Sequence, residues 1–471
     1  MLFNSIDFAI FLPIVFILYW SISNKNLKWQ NSLIVLASYL FYGWWDWRFL
    51  SLILFSTLVD YTVGRMLKIE ENQTKRKALL WLSLIVNLGF LGFFKYYNFF
   101  LDNFISAFSF FGTQINVSSL NIILPVGISF YTFQTMSYTI DVYKRKLEPT
   151  TDFIAFSAFV SFFPQLVAGP IERATNLLPQ FFKKRTFNYS EAVDGMIADN
   201  CARFADVIFN NSADYSGSTL ILGAVLFSFQ IYGDFSGYSD IAIGTSRLFG
   251  FNLMQNFNFP YFSRDIAEFW RRWHISLSTW FRDYLYIPLG GSRGGMGMKI
   301  RNTFIIFIVS GFWHGANWTF IAWGALNAIF FLPLLLTRNN RNNLKPVAEG
   351  KTFPNLKELS SMLITFGLIV FAWIFFRANN IEHAISYISG ILSPSLFSIP
   401  EFEGRGHSIV VILLLVIFVL IEWNGREGQY AIANLGHKRI RAIRWSYYAL
   451  IIFAIGMFMP SVESPFIYFQ F

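Results

Sequence analysis

Residues 302–336 read NTFIIFIVSGFWHGANWTFIAWGALNAIFFLPLLL, an apolar stretch whose only titratable side chain is that of His314. A helix needs about 20 apolar residues to cross the hydrocarbon core of a bilayer. We place two apolar spans in this stretch, near 302–313 and 316–336, with His314 between them. Because runs of this kind recur along the chain, the stretch indicates the class of the whole fold.

Ten further apolar runs are spaced as in a helical membrane protein. We therefore predict an all-α, polytopic integral membrane protein with roughly eleven transmembrane helices plus interfacial and re-entrant helices. The strands of a transmembrane β-barrel require a two-residue alternation, which continuous apolar runs do not have. The further runs lie near residues 2–20, 31–45, 48–64, 78–100, 121–140, 151–169, 216–232, 358–376, 408–422 and 445–460.

The composition supports a membrane protein and argues against other classes. Hydrophobic residues make up 54% of the chain and charged residues 14%, whereas soluble domains carry about 25% charged residues. The net charge of +9 comes from short basic loops between apolar runs, which are typical of cytoplasmic loops, so no nucleic-acid partner is predicted. With a single cysteine, Cys201, the chain can form neither an internal disulfide nor a cysteine metal site.

The chain is predicted to form a single transmembrane domain over residues 1–471. Residues 1–150 alternate regularly between apolar runs and polar or basic loops, and form the N-terminal helices. After residue 150, prolines interrupt the next run and a polar and aromatic stretch covers 252–300. Broken segments at membrane depth are tolerated where they line a cavity or are buried in protein. We therefore place the functional core in residues 151–340 and the C-terminal helices in residues 341–471.

Residues 269–285 read FWRRWHISLSTWFRDYL and have the period of an amphipathic helix. One side of this helix is aromatic, while Arg271 and Arg282 lie on the opposite side and Arg272 on a flank. His274 lies at the edge of the aromatic stripe. Such a helix is expected to lie in the membrane interface. The arginines then either face lipid headgroups or bind an anionic phosphopantetheine or coenzyme A phosphate by charge-assisted hydrogen bonds.

His314 is a candidate for chemistry because it lies among small residues inside apolar sequence. An ionisable group at membrane depth is costly unless it faces protein or water, and is therefore a functional candidate by default. Gly311, Gly315 and Ala316 would let a helix or a substrate approach closely. A neutral imidazole can take the proton of a hydroxyl that attacks a thioester, with a rate gain of about 10²–10⁴-fold. The alternative is a histidine that only hydrogen-bonds a neighbouring helix.

Residues 230–240 place two carboxylates and two glycines at membrane depth. We expect a broken helix here whose polar groups satisfy each other, because breaks at membrane depth need polar partners. Asp234 and Tyr238 are the candidate substrate-binding residues of this segment.

No metal site is predicted, because the histidines lack the short spacing of zinc ligands. None of them forms an HxxH or HxxxH pair; the five are His274, His314, His383, His407 and His437.

Four separated motifs resemble a known family. They are FPQLVAGPI at 163–171, YGDFSGY at 232–238, FWRRWHISLS at 269–278 followed by YIPLGG at 286–291, and GFWHGANW at 311–318. In this order they resemble the membrane-bound O-acyltransferase family, specifically its alginate O-acetyltransferase-like bacterial branch, and the similarity runs nearly end to end. The resemblance implies an active-site histidine at 314, where an outward funnel meets an inward tunnel. It implies a second family histidine at 274, nearer the cytoplasmic side.

The resemblance also implies an activity. It is transfer of an acetyl or other acyl group from a cytoplasmic thioester donor, acetyl-CoA or a carrier-bound acyl group, across the inner membrane. The acyl group is expected to end on an exopolysaccharide such as alginate. No bound cofactor is expected. The expected partners are membrane lipids, the acyl donor, a periplasmic SGNH-type acetyltransferase and the polysaccharide acceptor.

Roles for the candidate residues follow from this activity. His314 is expected to be the general base, and His274 to orient the donor or make a second proton contact. Trp313 is expected to shape the tunnel. The remaining candidates are expected to contact substrate, and they are Arg271, Arg272, Arg282, Asn317, Asp234 and Tyr238.

Several alternatives remain open at this point. D-alanyl transfer to teichoic acid and peptidoglycan acetylation need the same residues and differ in the acceptor. A transporter of an acylated molecule, or a non-catalytic scaffold for polysaccharide export, is also compatible with an apolar chain of this kind. One departure from the resembling family follows Met196, where an apolar helical stretch that relatives usually carry is missing.

Overall fold

The computed structural model describes residues 1–185 and 205–431, except 2, 4, 24, 25, 114, 116, 168, 207, 403 and 404, and seven positions between 442 and 453. The departure after Met196 and most of the predicted span near 445–460 lie outside the described residues. So do Cys201 and His437.

The described helices divide between two compact units. The N-terminal unit comprises Met1–Asp194 and Tyr238–Met254, and the C-terminal unit comprises Gly195–Gly237 and Gln255–Phe471. The predicted single domain with divisions at 150 and 340 stays a prediction.

The described part of the N-terminal unit consists mainly of α-helices joined by loops. Its helices are α1 (Ile6–Ser23), α2 (Leu27–Asp46), α3 (Leu50–Ile69), α4 (Gln73–Leu91), α5 (Tyr97–Phe110), α6 (Ile128–Tyr143), α7 (Phe153–Ser161), α8 (Phe163–Leu166) and α9 (Ala174–Leu177). Helix α10 (Gly217–Leu248) is shared by the two units, and its last residues belong to this one.

A buried carboxylate ties three of these helices together. Asp60 on α3 accepts hydrogen bonds from the Asn87 amide on α4, at 2.9 Å, and from the Thr139 hydroxyl on α6, at 3.1 Å. Ser83 also donates to it. A buried carboxylate is tolerated only when its oxygens are hydrogen-bonded, so these contacts set the register of α3, α4 and α6.

The C-terminal unit contains the two candidate histidines. Its helices are α11 (Ile266–Arg272), α12 (Ile275–Phe281), α13 (Met296–His314), α14 (Trp318–Leu336), α15 (Leu356–Arg377), α16 (Ile381–Ile391) and α17 (Arg405–Gly425).

Asparagine or aspartate side chains cap the first turn of seven described helices. Such a cap accepts a hydrogen bond from a backbone N–H that has no partner within the helix. Helix α15 begins with a full capping box, in which Asn355 and Glu358 exchange hydrogen bonds. The seven capping residues are Asn26, Asn72, Asp152, Asp265, Asn317, Asn355 and Asn380.

Helices α13 and α14 form a closely packed hairpin because glycines lie at their crossing. A Cβ atom on Gly311 would lie 2.2 Å from the carbonyl oxygen of Phe320, and one on Gly324 would lie 2.3 Å from that of Phe307. Only residues without a side chain permit this approach. The crossing holds the end of α13, where His314 lies, against α14.

Six stretches of the described residues are long and apolar enough to cross a membrane. The all-α, polytopic fold predicted from the sequence is confirmed, but the described residues supply fewer spans by this measure than the roughly eleven predicted. Helix α13 is not among the six, since Lys299 and Arg301 lower the hydropathy of its first turns. The six are Leu27–Ile69, Gln73–Phe110, Gly217–Leu248, Trp318–Leu336, Leu356–Arg377 and Ser408–Gly425.

Two local expectations were wrong. The segment 230–240 is not broken, because α10 runs through it as one helix of 32 residues that accommodates both glycines. The segment 269–285 is not one helix. It divides into α11 and α12 at His274, whose backbone is left-handed with φ 43° and ψ 56°.

Candidate active site

His314 lies at the end of α13, inside a shell of aromatic rings. Its side chain is buried, with 4% of the residue exposed. The imidazole meets Trp323 and Phe376 edge to face, with ring centroids 5.2 Å away in each case, and Trp313 at 5.0 Å. We call these three rings the aromatic shell. A histidine inside such a shell is shielded from bulk water.

His274 is the second buried histidine of this unit. Its Nδ1 lies 3.1 Å from Oδ1 of Asn256, and its ring packs edge to face on Phe235 at 4.6 Å. Burial without a charged neighbour lowers the pKa of His274 to about 3. His274 is therefore neutral at physiological pH.

Trp313 packs near both histidines. Its ring centroid is 6.2 Å from that of His274 and 5.0 Å from that of His314. The structure thus brings together three of the residues singled out in the sequence, around one buried indole.

The C-terminal unit contains a cavity of about 570 Å³, whose lining includes residues of α11, α12, α13 and α14 but neither histidine. Sites for small ligands commonly measure about 300–1,000 Å³. Its inner wall is mostly apolar, from Trp270, Leu277, Phe281, Ile306, Phe307, Phe331 and Leu335. Hydroxyl groups also line it, from Ser278, Ser292, Thr303 and Ser310.

Four basic side chains line the same cavity, from Arg282, Lys299, Arg338 and Arg341. The Arg282 side chain is 57% exposed and forms an ion pair with Asp283 at 2.7 Å. A rim of cations above an apolar interior suits a ligand with an anionic head and an apolar or neutral arm. We call this space the basic-rimmed cavity.

The inner end of the basic-rimmed cavity approaches the aromatic shell. Ser310 lines the cavity and precedes His314 by four residues, about one turn of α13. Trp270 also lines the cavity, and its ring lies 5.7 Å from that of Trp323, which contacts His314. Lys299 at the rim precedes His314 by fifteen residues, or roughly 22 Å along the helix.

Arg271 and Arg272, which were predicted to contact the donor, bind other groups of the protein in the structure. Arg271 donates to the carbonyl oxygens of Asn340 and Asn343, at 2.8 Å each. Arg272 forms a buried ion pair with Glu268 at 3.0 Å. Their direct contact with a donor stays a prediction, whereas Arg282 lines the cavity.

The loop at residues 338–351 also contributes to the site. Its backbone carbonyl oxygens accept hydrogen bonds from four arginines of the C-terminal unit, which fix its path. Three of its residues then line the basic-rimmed cavity, namely Arg338, Asn340 and Arg341. The four arginines are Arg264, Arg271, Arg272 and Arg426.

The other candidate residues lie apart from the cavity lining. Asn317 caps α14 through the backbone N–H of Thr319, at 3.0 Å, and donates to the carbonyl oxygen of Asn379, at 2.9 Å. Asp234 is half-buried on α10. Tyr238 follows one turn later and stacks on Phe3 at 4.6 Å. Contact of these three residues with substrate stays a prediction.

Comparisons with known proteins place this geometry in a family. Residues 79–378 match the model of MBOAT, the membrane-bound O-acyltransferase family, and the match includes both histidines and the cavity. A probable alginate O-acetylase of Azotobacter vinelandii is 36% identical over 517 aligned residues that cover all of both chains. Because this aligned length exceeds 471 residues, that relative carries segments that this chain lacks.

Two further relatives show a similar identity. A probable alginate O-acetylase of Pseudomonas aeruginosa is 39% identical over 89% of this chain and 80% of its own length. A peptidoglycan O-acetyltransferase of Helicobacter pylori is 38% identical over all of this chain and 98% of its own length. With these matches and its apolar helices, the chain is a multi-pass membrane protein and an acyltransferase, and it belongs to the membrane-bound O-acyltransferase family.

Proposed function

We propose that this protein transfers an acetyl group from a cytoplasmic thioester donor to a hydroxyl, for O-acetylation of an exopolysaccharide such as alginate. The observation that carries the proposal is the position of the basic-rimmed cavity, whose lining includes Ser310, one helical turn before the buried His314. Two relatives named as probable alginate O-acetylases support the choice of acetyl group and polysaccharide.

The donor enters the cavity from its basic rim. Coenzyme A and a carrier-bound phosphopantetheine share an anionic phosphate and a neutral pantetheine arm that ends in the thioester. The exposed cations of Arg338 and Arg341 bind the phosphate by charge-assisted hydrogen bonds. The arm then lies along the apolar wall toward Ser310. Because basic loops favour the cytoplasmic side, we place this rim inside the cell and the protein in the inner membrane.

His314 acts as the general base. Its imidazole accepts the proton of the attacking hydroxyl, while the hydroxyl oxygen forms a bond to the thioester carbonyl carbon. The carbon–sulfur bond then breaks, and the leaving sulfur takes the proton back from the imidazolium. Proton transfer of this kind is worth about 10²–10⁴-fold in rate. No covalent enzyme intermediate is required.

The acceptor side of the proposal includes a partner. The acetyl group is received on the side of His314 away from the basic rim. Its recipient is either a periplasmic SGNH-type acetyltransferase or the hydroxyl of the polysaccharide acceptor itself. His274 orients the donor or makes a second contact to a mobile proton. Trp313, packed near both histidines, keeps bulk water from the thioester.

Mass analysis of surface polysaccharide tests the function in cells. Deleting the gene should remove one acetyl group per modified residue, and the wild-type gene should restore it. Purified protein in liposomes, supplied with a polysaccharide acceptor, should cleave a labelled acetyl thioester, with acetyl-CoA and acetyl-carrier tested in separate reactions to identify the donor. An intact thioester in both reactions would favour a transporter, and unchanged glycans in the deletion strain would contradict the proposal.

Peptidoglycan is a second candidate acceptor, because a relative named as a peptidoglycan O-acetyltransferase aligns with all of this chain at 38% identity. Muramidase digestion followed by mass analysis of the fragments distinguishes the two acceptors. Loss of acetyl groups from muropeptides alone would favour peptidoglycan. Loss of D-alanyl esters with acetyl groups intact would instead indicate the D-alanyl transfer alternative.

A further inference from the structure

Asn256 lies outside every motif that indicated the family, yet its side chain is the one that fixes His274. The residue is buried, with 1% exposed. Its Oδ1 accepts hydrogen bonds from the backbone N–H of Ser276 at 3.2 Å and from the Ser276 hydroxyl at 2.9 Å. The same oxygen lies 3.1 Å from Nδ1 of His274. One amide oxygen thus faces three groups from the start of α12.

These contacts determine the tautomer of His274. A backbone N–H can only donate, so the Asn256 atom that faces Ser276 is the oxygen and not the nitrogen. An oxygen 3.1 Å from Nδ1 requires a proton on Nδ1, because two facing lone pairs repel each other. Since the buried ring is neutral, its Nε2 carries a lone pair. Among the described residues no group hydrogen-bonds this Nε2 atom.

The backbone around Asn256 holds this arrangement in place. Its carbonyl oxygen accepts the N–H of Ile275 at 2.9 Å. Two residues later, the N–H of Asn258 donates to the carbonyl oxygen of Arg272 at 2.9 Å. The left-handed backbone of His274, which is unfavourable for a residue other than glycine, persists because these contacts on both sides determine it.

We propose that Asn256 is a positioning residue that keeps His274 neutral with its proton on Nδ1, so that Nε2 accepts a hydrogen bond from the substrate. The inference rests on the proposed acetyl transfer. In this role His274 accepts an N–H of the donor's pantetheine arm or the O–H of the acceptor. It cannot donate to the thioester oxygen, since that would require a proton on Nε2.

No charged side chain touches the His274 ring among the described residues. The groups packed against it are the rings of Phe235, Phe257 and Trp313, the Asn256 amide and the Ser276 hydroxyl. The nearest cation along the chain, Arg272, is paired with Glu268. The ring therefore stays neutral over the accessible pH range unless a charge is introduced beside it.

Asn256→Asp introduces that charge at the position of the amide oxygen. The carboxylate stabilises the imidazolium and raises the pKa of His274, so Nε2 becomes a hydrogen-bond donor at and below that pKa. Acetyl transfer by purified protein in liposomes should fall at least about tenfold at pH 7 and recover as the pH rises and the ring loses its proton. The wild-type protein should show no such recovery.

Two further variants complete the experiment. Asn256→Ala frees the ring and should lower kcat about tenfold at every pH, without the alkaline recovery of Asn256→Asp. Asn258→Ala is the matched control, because Asn258 holds Arg272 through its backbone and should keep wild-type activity. Thermal melting in detergent shows which variants fold. If Asn256→Asp does not fold, the activity of Asn256→Ala tests the proposal.

An Asn256→Asp protein that folds with the wild-type rate and pH profile would overturn the inference, and so would full kcat in Asn256→Ala. The same assay on His314→Ala separates the two claims. If that variant is inactive while the Asn256 variants behave as wild type, only the role of Asn256 is wrong. If it is fully active, the proposed function itself is wrong.

Discussion

Ser310 and His314 lie one turn apart on α13, and the first lines the basic-rimmed cavity while the second ends inside the aromatic shell. A single helix therefore connects the space that suits an anionic ligand with the buried imidazole. The proposed donor route requires room for a thioester beside the small side chain of Ser310. Delivery of the donor to His314 depends on that room.

Enlarging Ser310 should close the inner end of the cavity. We expect Ser310→Phe to lower kcat/KM for the acetyl donor by at least about a hundredfold, because misplacing the reacting atoms by about 1 Å can cost that much. Val309→Phe is the matched control, since Val309 is 38% exposed on another side of the helix and should retain near wild-type activity. Steady-state kinetics on both variants measure this difference. Equal activities would contradict delivery of the donor past Ser310.

The rim arginines should set donor affinity and not the chemical step. Arg338→Gln combined with Arg341→Gln removes two cations from the rim, and we expect KM for the donor to rise about tenfold with kcat unchanged. Added salt should raise KM of the wild type more than KM of the variant, because the exposed charges are screened. Arg293→Gln, an exposed arginine outside the cavity lining, serves as the control. A fall in kcat alone would argue against donor binding at this rim.

The ion network under the loop 338–351 should be essential for stability. Glu268 is buried, with 1% exposed, and pairs with Arg264 and Arg272 at 3.0 Å each. Glu268→Gln removes the carboxylate that pairs with Arg272 and leaves Arg264 only its longer pair with Glu358 at 3.5 Å, so it should cost about 3–5 kcal/mol. Glu349→Gln breaks only the exposed pair with Lys345 and should cost under about 1 kcal/mol. Melting temperatures in detergent compare the two variants. Similar shifts would mean that the buried network stabilises the protein no more than the exposed pair does.

The helix crossing at Gly311 should tolerate no side chain. Gly311→Ala places a methyl group against the Phe320 carbonyl oxygen, and we expect destabilisation of about 1–3 kcal/mol as α13 and α14 separate. A Cβ on Gly367 of α15 meets no atom within 4 Å, so Gly367→Ala should leave the melting temperature unchanged or slightly higher. Loss of acetyl transfer should accompany the first change only. Stable, fully active Gly311→Ala protein would contradict this view of the crossing.

Much of the fold follows from local patterns, which can be predicted from the sequence. Apolar runs predicted the helices, and the glycines around His314 predicted the close approach that α13 and α14 show. The helical period of 269–285 also placed Trp273, Leu277 and Trp280 on one apolar stripe, and all three side chains are buried. These features depend on residues within a few turns of one another.

The rest depends on contacts between distant residues. The left-handed backbone at His274 is stabilised by Asn256, eighteen positions earlier, so helical period alone predicted one continuous helix. The loop 338–351 is held by arginines about 70 to 80 residues away, and a polar loop gives no local sign of them. The arginines of 269–285 were an available signal, and the sequence alone left them facing lipid headgroups or binding a donor phosphate.

The most direct test is single-turnover acetyl transfer from a labelled thioester by purified His314→Ala protein, compared with the wild type in the same liposomes. We predict that the variant binds the donor with unchanged affinity, because the rim is intact, and transfers acetyl at least about a hundredfold more slowly. A wild-type transfer rate in a folded His314→Ala protein would contradict the assignment of the general base and, with it, the central claim.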